Sequence, residues 1–339
     1  MIRINTNSKY NSAPAATINK VMKRFSMFDG IGLDLTGSET YDEALQDAGI
    51  DYTAEKKPLF LENGTLLKDN FAVVKSDDEN CVLGVVGNQY TAVSNRDAFD
   101  VSQELLNMGL RYETGGPSLG SKNVTDYART FLVMRGDDFE IGDDEYNSFV
   151  VFNNSFDGSS GVQYSVICQR LVCLNGMVRY LGGAKDQLRI SIQHSKSAVD
   201  RIKKAQEIVI KRQQDIEMIK REAELFIGTK MSKDQFVKEV IPVVLKKTNL
   251  VEKDKDRQRG HERIERTVMQ LMSCYNADDT QNYNDSAYKI ILALSDFESH
   301  AEPLRNTGNR AVYMNRITKG MLLTGAAAQY IASTRGLHL

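Results

Sequence analysis

Apolar residues change their spacing once along the chain. From about Ser26 to Arg189 they come in short alternating runs broken by Gly, Asn and Asp; from about Ile190 onward they recur every three or four positions with few breakers. The first pattern predicts strands and the second helices, which together make an α+β protein. The expected organisation is a polar segment over 1–25, an antiparallel β-sheet domain with flanking helices over 26–190, and a mainly helical region over 191–339.

Within the first half, Tyr41 to Ala48 read as a short helix capped by Thr40, with Glu43 three residues on to complete a capping box and Gly49 to stop it. Phe71–Val74 and Val82–Val86 read as a hairpin turning at Asp77–Asn80. A helix follows from Asn95 through Leu106, ended by Gly109, and then extended runs at Leu110–Gly115, Tyr127–Arg135, Ser148–Phe152 and Gly161–Cys168. Asp157-Gly158 is a turn dipeptide between two of them. The apolar run Leu171–Leu181 fits either a strand or a helix.

The second half opens on a heptad. Ile202, Ala205, Val209, Arg212, Ile216, Ile219, Ala223 and Phe226 step by three and four, so one helix from about Ser195 to Ile227 is expected, about 50 Å long, with a seam that is apolar except at Arg212. Such a seam pairs within the chain or makes a homo-oligomer. Further helices are expected after Ser232, near Val268–Met272, over Ser286–Phe297 and over Arg310–Ala332, with Pro242 and Pro303 as kinks or boundaries.

Composition narrows the class. The chain has 339 residues, 26% charged and 41% hydrophobic, which excludes disorder, collagen and a disulfide scaffold. The formal net charge is −2, so a site for phosphates has to be local. Residues 196–270 carry 19 Lys and Arg against 13 Asp and Glu, as a solvated helical arm or a phosphate-binding one would. Four cysteines (Cys81, Cys168, Cys173, Cys274), set in or beside apolar runs, fit a reducing compartment. The polar stretch Met1–Ala16 lacks the pattern of a signal peptide, and Gly320–Thr334 is too short to span a bilayer, so a cytoplasmic protein is expected.

Catalytic motifs fail on spacing. Gly115 to Lys122 resembles a P-loop, but Ser121 stands between the last Gly and the Lys. Gly30-Ile31-Gly32 has no third glycine at the dinucleotide spacing, and Gly158-Ser159-Ser160-Gly161 lacks that of a nucleophile elbow. His261-Glu262 is followed by Glu265 where a zinc protease needs His. His194 and His300 stand alone near expected helix ends, where solvent or a carbonyl would be their partner. Asp137, Asp138, Asp143 and Asp144 would hold a divalent cation only if a loop gathered them; a nuclease centre would need that. The reading is of a protein without catalysis, cofactor or metal.

What remains is a surface pattern. Lys122, Arg129, Arg135, Arg170 and Arg179 interleave with Tyr127 and Tyr164 in the strand-rich segment, as cations for phosphates and rings for bases would. Alternation on a half-buried sheet produces the same interleaving with the rings turned inward.

Several runs carry a resemblance: Tyr41–Leu45 with Ala48-Gly49, Leu83–Tyr90 into Val93–Phe99, Asn154–Ser159, Gln169–Asn175, His194-Ser195 and the helix around Ala287–His300. On these the chain resembles the phage/plasmid-like protein family, a domain of unknown function (DUF932), over nearly its whole length. It departs where Gln193 replaces an expected Arg and where an aromatic near residue 30 is absent. The resemblance implies a phage or mobile element and a life in the host cytoplasm. The order helix, meander, helix over 95–181 is similar to the core of phage single-strand annealing proteins of the RecT, Erf and Redβ kinds. The expected function is therefore single-stranded DNA binding in recombination or replication, by an oligomer that pairs through the 202–226 heptad. The alternative is a phage early protein that binds a host protein through its helical region.

Overall fold

The computed structural model describes residues 28, 32–117, 126–170, 176–177, 189–210, 213–247, 258–298 and 322–338. The strand-rich half forms two antiparallel sheets. Strands β2 (Ala54–Phe60), β3 (Leu66–Lys75) and β4 (Asp78–Gly87) make the smaller, in the order β2-β3-β4. The larger runs β1-β5-β6-β7-β8-β10, with β9 also on β8: β1 (Leu33–Asp34), β5 (Arg111–Pro117), β6 (Arg129–Ile141), β7 (Asp144–Ser155), β8 (Val162–Arg170), β9 (Gly176–Met177) and β10 (Arg189–Ile192). Gly158, at φ +74°, makes the turn that Asp157-Gly158 predicts.

Helices follow their caps. Helix α1 (Tyr41–Asp47) has the complete capping box of Thr40 and Glu43. Ser94 caps α2 (Asn95–Phe99), and α3 (Val101–Asn107) continues from it. The segment expected as one heptad helix is helical over α4 (Ala198–Ile210) and α5 (Gln213–Gly228), and 211–212 between them lie outside the described residues. Helix α6 (233–247) starts at a second capping box, Ser232 with Gln235, and widens into a π-turn over Phe236–Val240 just before Pro242, whose missing N–H suits such a break. Then come α7 (Gln258–Tyr275), α8 (Ala287–Asp296), capped by Ser286, and α9 (Leu322–Arg335). Among the described residues no helix is long and apolar enough to cross a membrane.

Two hydrophobic clusters hold these elements. One gathers α1 to α4, the smaller sheet and the middle of the larger sheet around Phe99, Leu132, Phe152 and Tyr164. The other gathers α5 to α9 over the far end of the same sheet, with Phe139, Ile141, Tyr146, Val166 and Cys168 beneath Phe226, Phe236, Leu271, Tyr288 and Ile331. Ile202 and Ala205 of the heptad belong to the first cluster, and Ile219, Ala223 and Phe226 to the second. These seam positions are therefore buried inside one chain. Helix α4 packs with the sheet and the smaller sheet's cluster, and the far end of the larger sheet enters the helical core.

Candidate nucleic-acid interface

Register assigns each side chain of the larger sheet to a face. Thr130 pairs with Asn154; Leu132 with Phe152, and that with Tyr164; Met134 with Val150, and that with Val166; Tyr146 with Arg170. These even-numbered residues of β6–β8 lie on the face that meets the helices. The odd-numbered face carries Arg129, Phe131 and Arg135 on β6, opposite Ser155, Asn153 and Phe149 on β7. It continues with Gln163, Ser165 and Ile167 on β8.

The residues expected to bind nucleic acid separate accordingly. Arg129 donates from Nε to Asp157 Oδ2 at 2.8 Å. Arg135 donates from Nη2 to Asp138 Oδ1 and Asn147 Oδ1, each at 3.0 Å. Both side chains stay partly exposed, and both lie on the odd face. Tyr127, in a short 3-10 turn just before β6, is 39% exposed; its carbonyl accepts the Tyr52 hydroxyl and its ring lies 5.1 Å from Lys75 Nζ. Lys122 and Arg179 lie outside the described residues.

Tyr164 and Arg170 are corrections, because the even face buries both. Tyr164 is enclosed between Phe152 and α2 and donates its hydroxyl to Ala98 O at 2.7 Å, so neither face of its ring is open to a base. Arg170, 1% exposed, forms a bidentate pair with Asp144 at 2.7 and 2.9 Å. It also reaches Asp279 Oδ2 at 3.0 Å and Asp279 O at 2.6 Å. Beside it the Tyr146 and Tyr288 hydroxyls meet at 2.6 Å, and burial holds both far above the usual phenol range. Arg170 therefore ties the sheet to the helical region and has no reach to a phosphate. The acidic run is dispersed too: Asp144 serves Arg170, Asp138 serves Arg135, and the Asp143 amide donates to Tyr283 Oη at 3.2 Å. Among the described residues no three His, Cys, Asp or Glu side chains converge on a metal position.

A polar junction at the start of β6 escaped the reading of the sequence. Asn95 Oδ1 accepts from Thr130 Oγ1 at 2.8 Å and Asn154 Nδ2 at 2.9 Å, and Asn154 also donates to Val93 O. Alongside, Asp157 accepts from Ser155 Oγ, the Ser159 amide and Arg129. Burial would raise the Asp157 carboxyl, but the bonds from Ser155, Ser159 and Arg129 outweigh it and hold it below the usual range. His194 stacks on Tyr90 with ring centroids 4.8 Å apart. It is buried with no hydrogen-bond partner for either ring nitrogen among the described residues, contrary to the solvent or carbonyl expected for it. Burial lowers its pKa to about 4, against the smaller opposing influences of the nearby Thr91 backbone and the Asp157 charge. The signal for this junction was Asn95, Asn154 and Asp157 standing beside apolar runs.

The segments 83–99, 154–159 and 194–195 thus meet at one end of the sheet, and 169–170 fastens the other. A family model described as a domain of unknown function (DUF932) matches residues 82–318. Helix α1 lies before that match. No curated protein and no solved structure matches the chain.

Proposed function

The chain belongs to the DUF932 family, and we propose that this member binds single-stranded DNA, as a phage-type protein of recombination or replication acting without catalysis. The observation that carries the reading is the placement of Arg129 and Arg135 on one face of β6, six residues and about 20 Å apart, with the exposed ring of Tyr127 just before the strand. Each arginine gives one nitrogen of its guanidinium to protein acceptors and keeps its other donors for a phosphate. Tyr127 supplies a stacking face beside the Lys75 cation. The contact set is Arg129, Arg135 and Tyr127, with Lys122 and Arg179 kept from the sequence; Tyr164 and Arg170 leave it. The meander of β5 to β8 follows α3 in the order expected of annealing proteins, an analogy of order alone; of the helix expected next, over 171–181, Gly176–Met177 form strand β9 and the rest lies outside the described residues.

Replacing Tyr127 by Ala and Arg135 by Gln tests this reading. Each is expected to weaken binding of a labelled single strand by about 1–3 kcal/mol, and Arg135→Gln also to flatten the salt dependence, while thermal unfolding stays near that of the parent. Unchanged affinity in both variants would refute the assignment.

A second reading, docking of a host or phage protein, has one observation in its favour. Phe60, Leu61, Leu66, Val82 and Val85 on the smaller sheet are all exposed, whereas the apolar stripe of the helical region faces inward. The surface for such a partner would be the smaller sheet in place of the helices.

A further inference from the structure

The odd face of β6–β8 is buried, yet it holds polar atoms whose bonding capacity is unmet. Nδ2 of Asn147, Nδ2 of Asn153 and Oγ of Ser165 are shielded from water and have no hydrogen-bond partner among the described residues. Folded proteins seldom leave such groups unpaired, so three on one face call for an explanation.

Their neighbours give it a chemical character. Phe131 pairs with Asn153 across β6 and β7, and Asn153 in turn with Gln163 on β8. Phe149 pairs with Arg135 and stands two residues from Asn147, whose Oδ1 accepts from that arginine at 3.0 Å. Each ring therefore has an amide beside it, and one guanidinium stands at the start of β6 and another at its middle. Rings stack bases, amides read base edges, and guanidinium groups take phosphates; this face carries all three around the buried aliphatic Val133, Val151 and Ile167, which is the make-up of a single-strand platform.

Two residues from the N-terminal side of the chain sit on this face. Phe28 meets Phe149 edge-on, with centroids 5.1 Å apart and an interplanar angle of 73°. Gly32 lies over Phe131 so closely that a Cβ there would stand 2.7 Å from the ring and 2.6 Å from Gly115 O.

We propose that the odd face of β6–β8 is the base-contacting platform of a single-strand site, and that Phe28 occupies the place of a base against Phe149 until a strand displaces it. This rests on the reading of the preceding subsection and goes further in naming the platform and its internal competitor. The unmet donors of Asn147 and Asn153 are then the groups that pair with base edges once Phe28 has left.

The test uses the full chain and a labelled oligothymidylate, with thermal unfolding of every variant alongside. Phe28→Ala removes the competitor and is expected to bind about tenfold tighter. Gly32→Ala, whose added methyl has no room, shifts affinity in the same direction. Asn153→Leu and Ser165→Val delete unmet polar atoms, so they are expected to unfold no earlier than the parent and to bind about three- to tenfold more weakly. If the parent binds and Phe28→Ala binds equally or more weakly, or both polar deletions bind like the parent, the platform is refuted while single-strand binding stands. If neither the parent nor Phe28→Ala binds at low salt, both fall. Should Asn153→Leu fail to fold, Ser165→Val decides the matter.

Discussion

At the residue scale, His194 sets a pH dependence whose sign is fixed by its burial. The folded pKa is about 4 against an ordinary 6.5, so between those values the unfolded chain binds a proton that the native state refuses. Stability therefore falls as pH drops through that window, by at most about 3 kcal/mol, and this contribution stops growing below it. Urea unfolding of the parent and of His194→Phe at pH 7 and pH 5 checks this, since the variant is expected to lose most of the difference attributable to that imidazole. Arg170 gives a sharper case. Arg170→Leu leaves Asp144 buried without its guanidinium and is expected to cost about 3–5 kcal/mol, and Arg170→Lys to recover little, because an ammonium cannot make the bidentate contact. Denaturant midpoints of both variants measure it. The burial of Arg170 was legible, because Tyr164, Val166, Cys168 and Arg170 share one phase of a strand whose other members of that phase are apolar. Charge alone pointed outward; phase pointed inward, and phase won. His194 left no comparable signal, since its burial comes from Tyr90, more than a hundred residues earlier in the chain.

At the element scale, local chemistry read true where it acts over three or four residues. The boxes at Thr40–Glu43 and Ser232–Gln235 start helices where the spacing says they should, and Ser286 caps α8. The heptad named an apolar stripe and left its partner open: Ile202 and Ala205 meet the sheet domain, while Ile219 and Phe226 meet the helical core. Phe226→Ala is accordingly expected to cost about 3–5 kcal/mol and leave the particle mass unchanged, which unfolding and light scattering together would show. The start of α9 rests on a partner no local rule finds. Glu298 accepts from the amides of Leu323 and Thr324 at 2.8 and 2.9 Å and from Thr324 Oγ1 at 2.6 Å. Glu298→Ala leaves those donors unmet in a buried setting and is expected to destabilise the fold by about 1–3 kcal/mol in a denaturant titration.

At the scale of the whole molecule, one antiparallel sheet serves two cores from its even face, while its odd face sets polar and aromatic residues around Val133, Val151 and Ile167. That division follows from the register of β6 to β8, and it explains why Arg129, Arg135, Arg170 and Tyr164, which looked equivalent along the chain, have different fates. Arg129 and Arg135 share the odd face, Tyr127 stands open just ahead of it, and Tyr164 and Arg170 are spent on the fold. The sheet, its meander order and most helix starts were readable from periodicity and caps. The shared core and the fastening of sheet to helices were not, because they join residues such as Asp144 and Asp279 that lie far apart in sequence. The most direct test of single-strand binding is fluorescence anisotropy of a labelled oligonucleotide and of its duplex, titrated with the full chain at low and near-physiological salt. Preference for the single strand is expected, with affinity falling as salt rises at a logarithmic slope of about −2 to −3 for three or four phosphate contacts. Absence of binding at low salt, or equal binding of duplex and single strand, would contradict it.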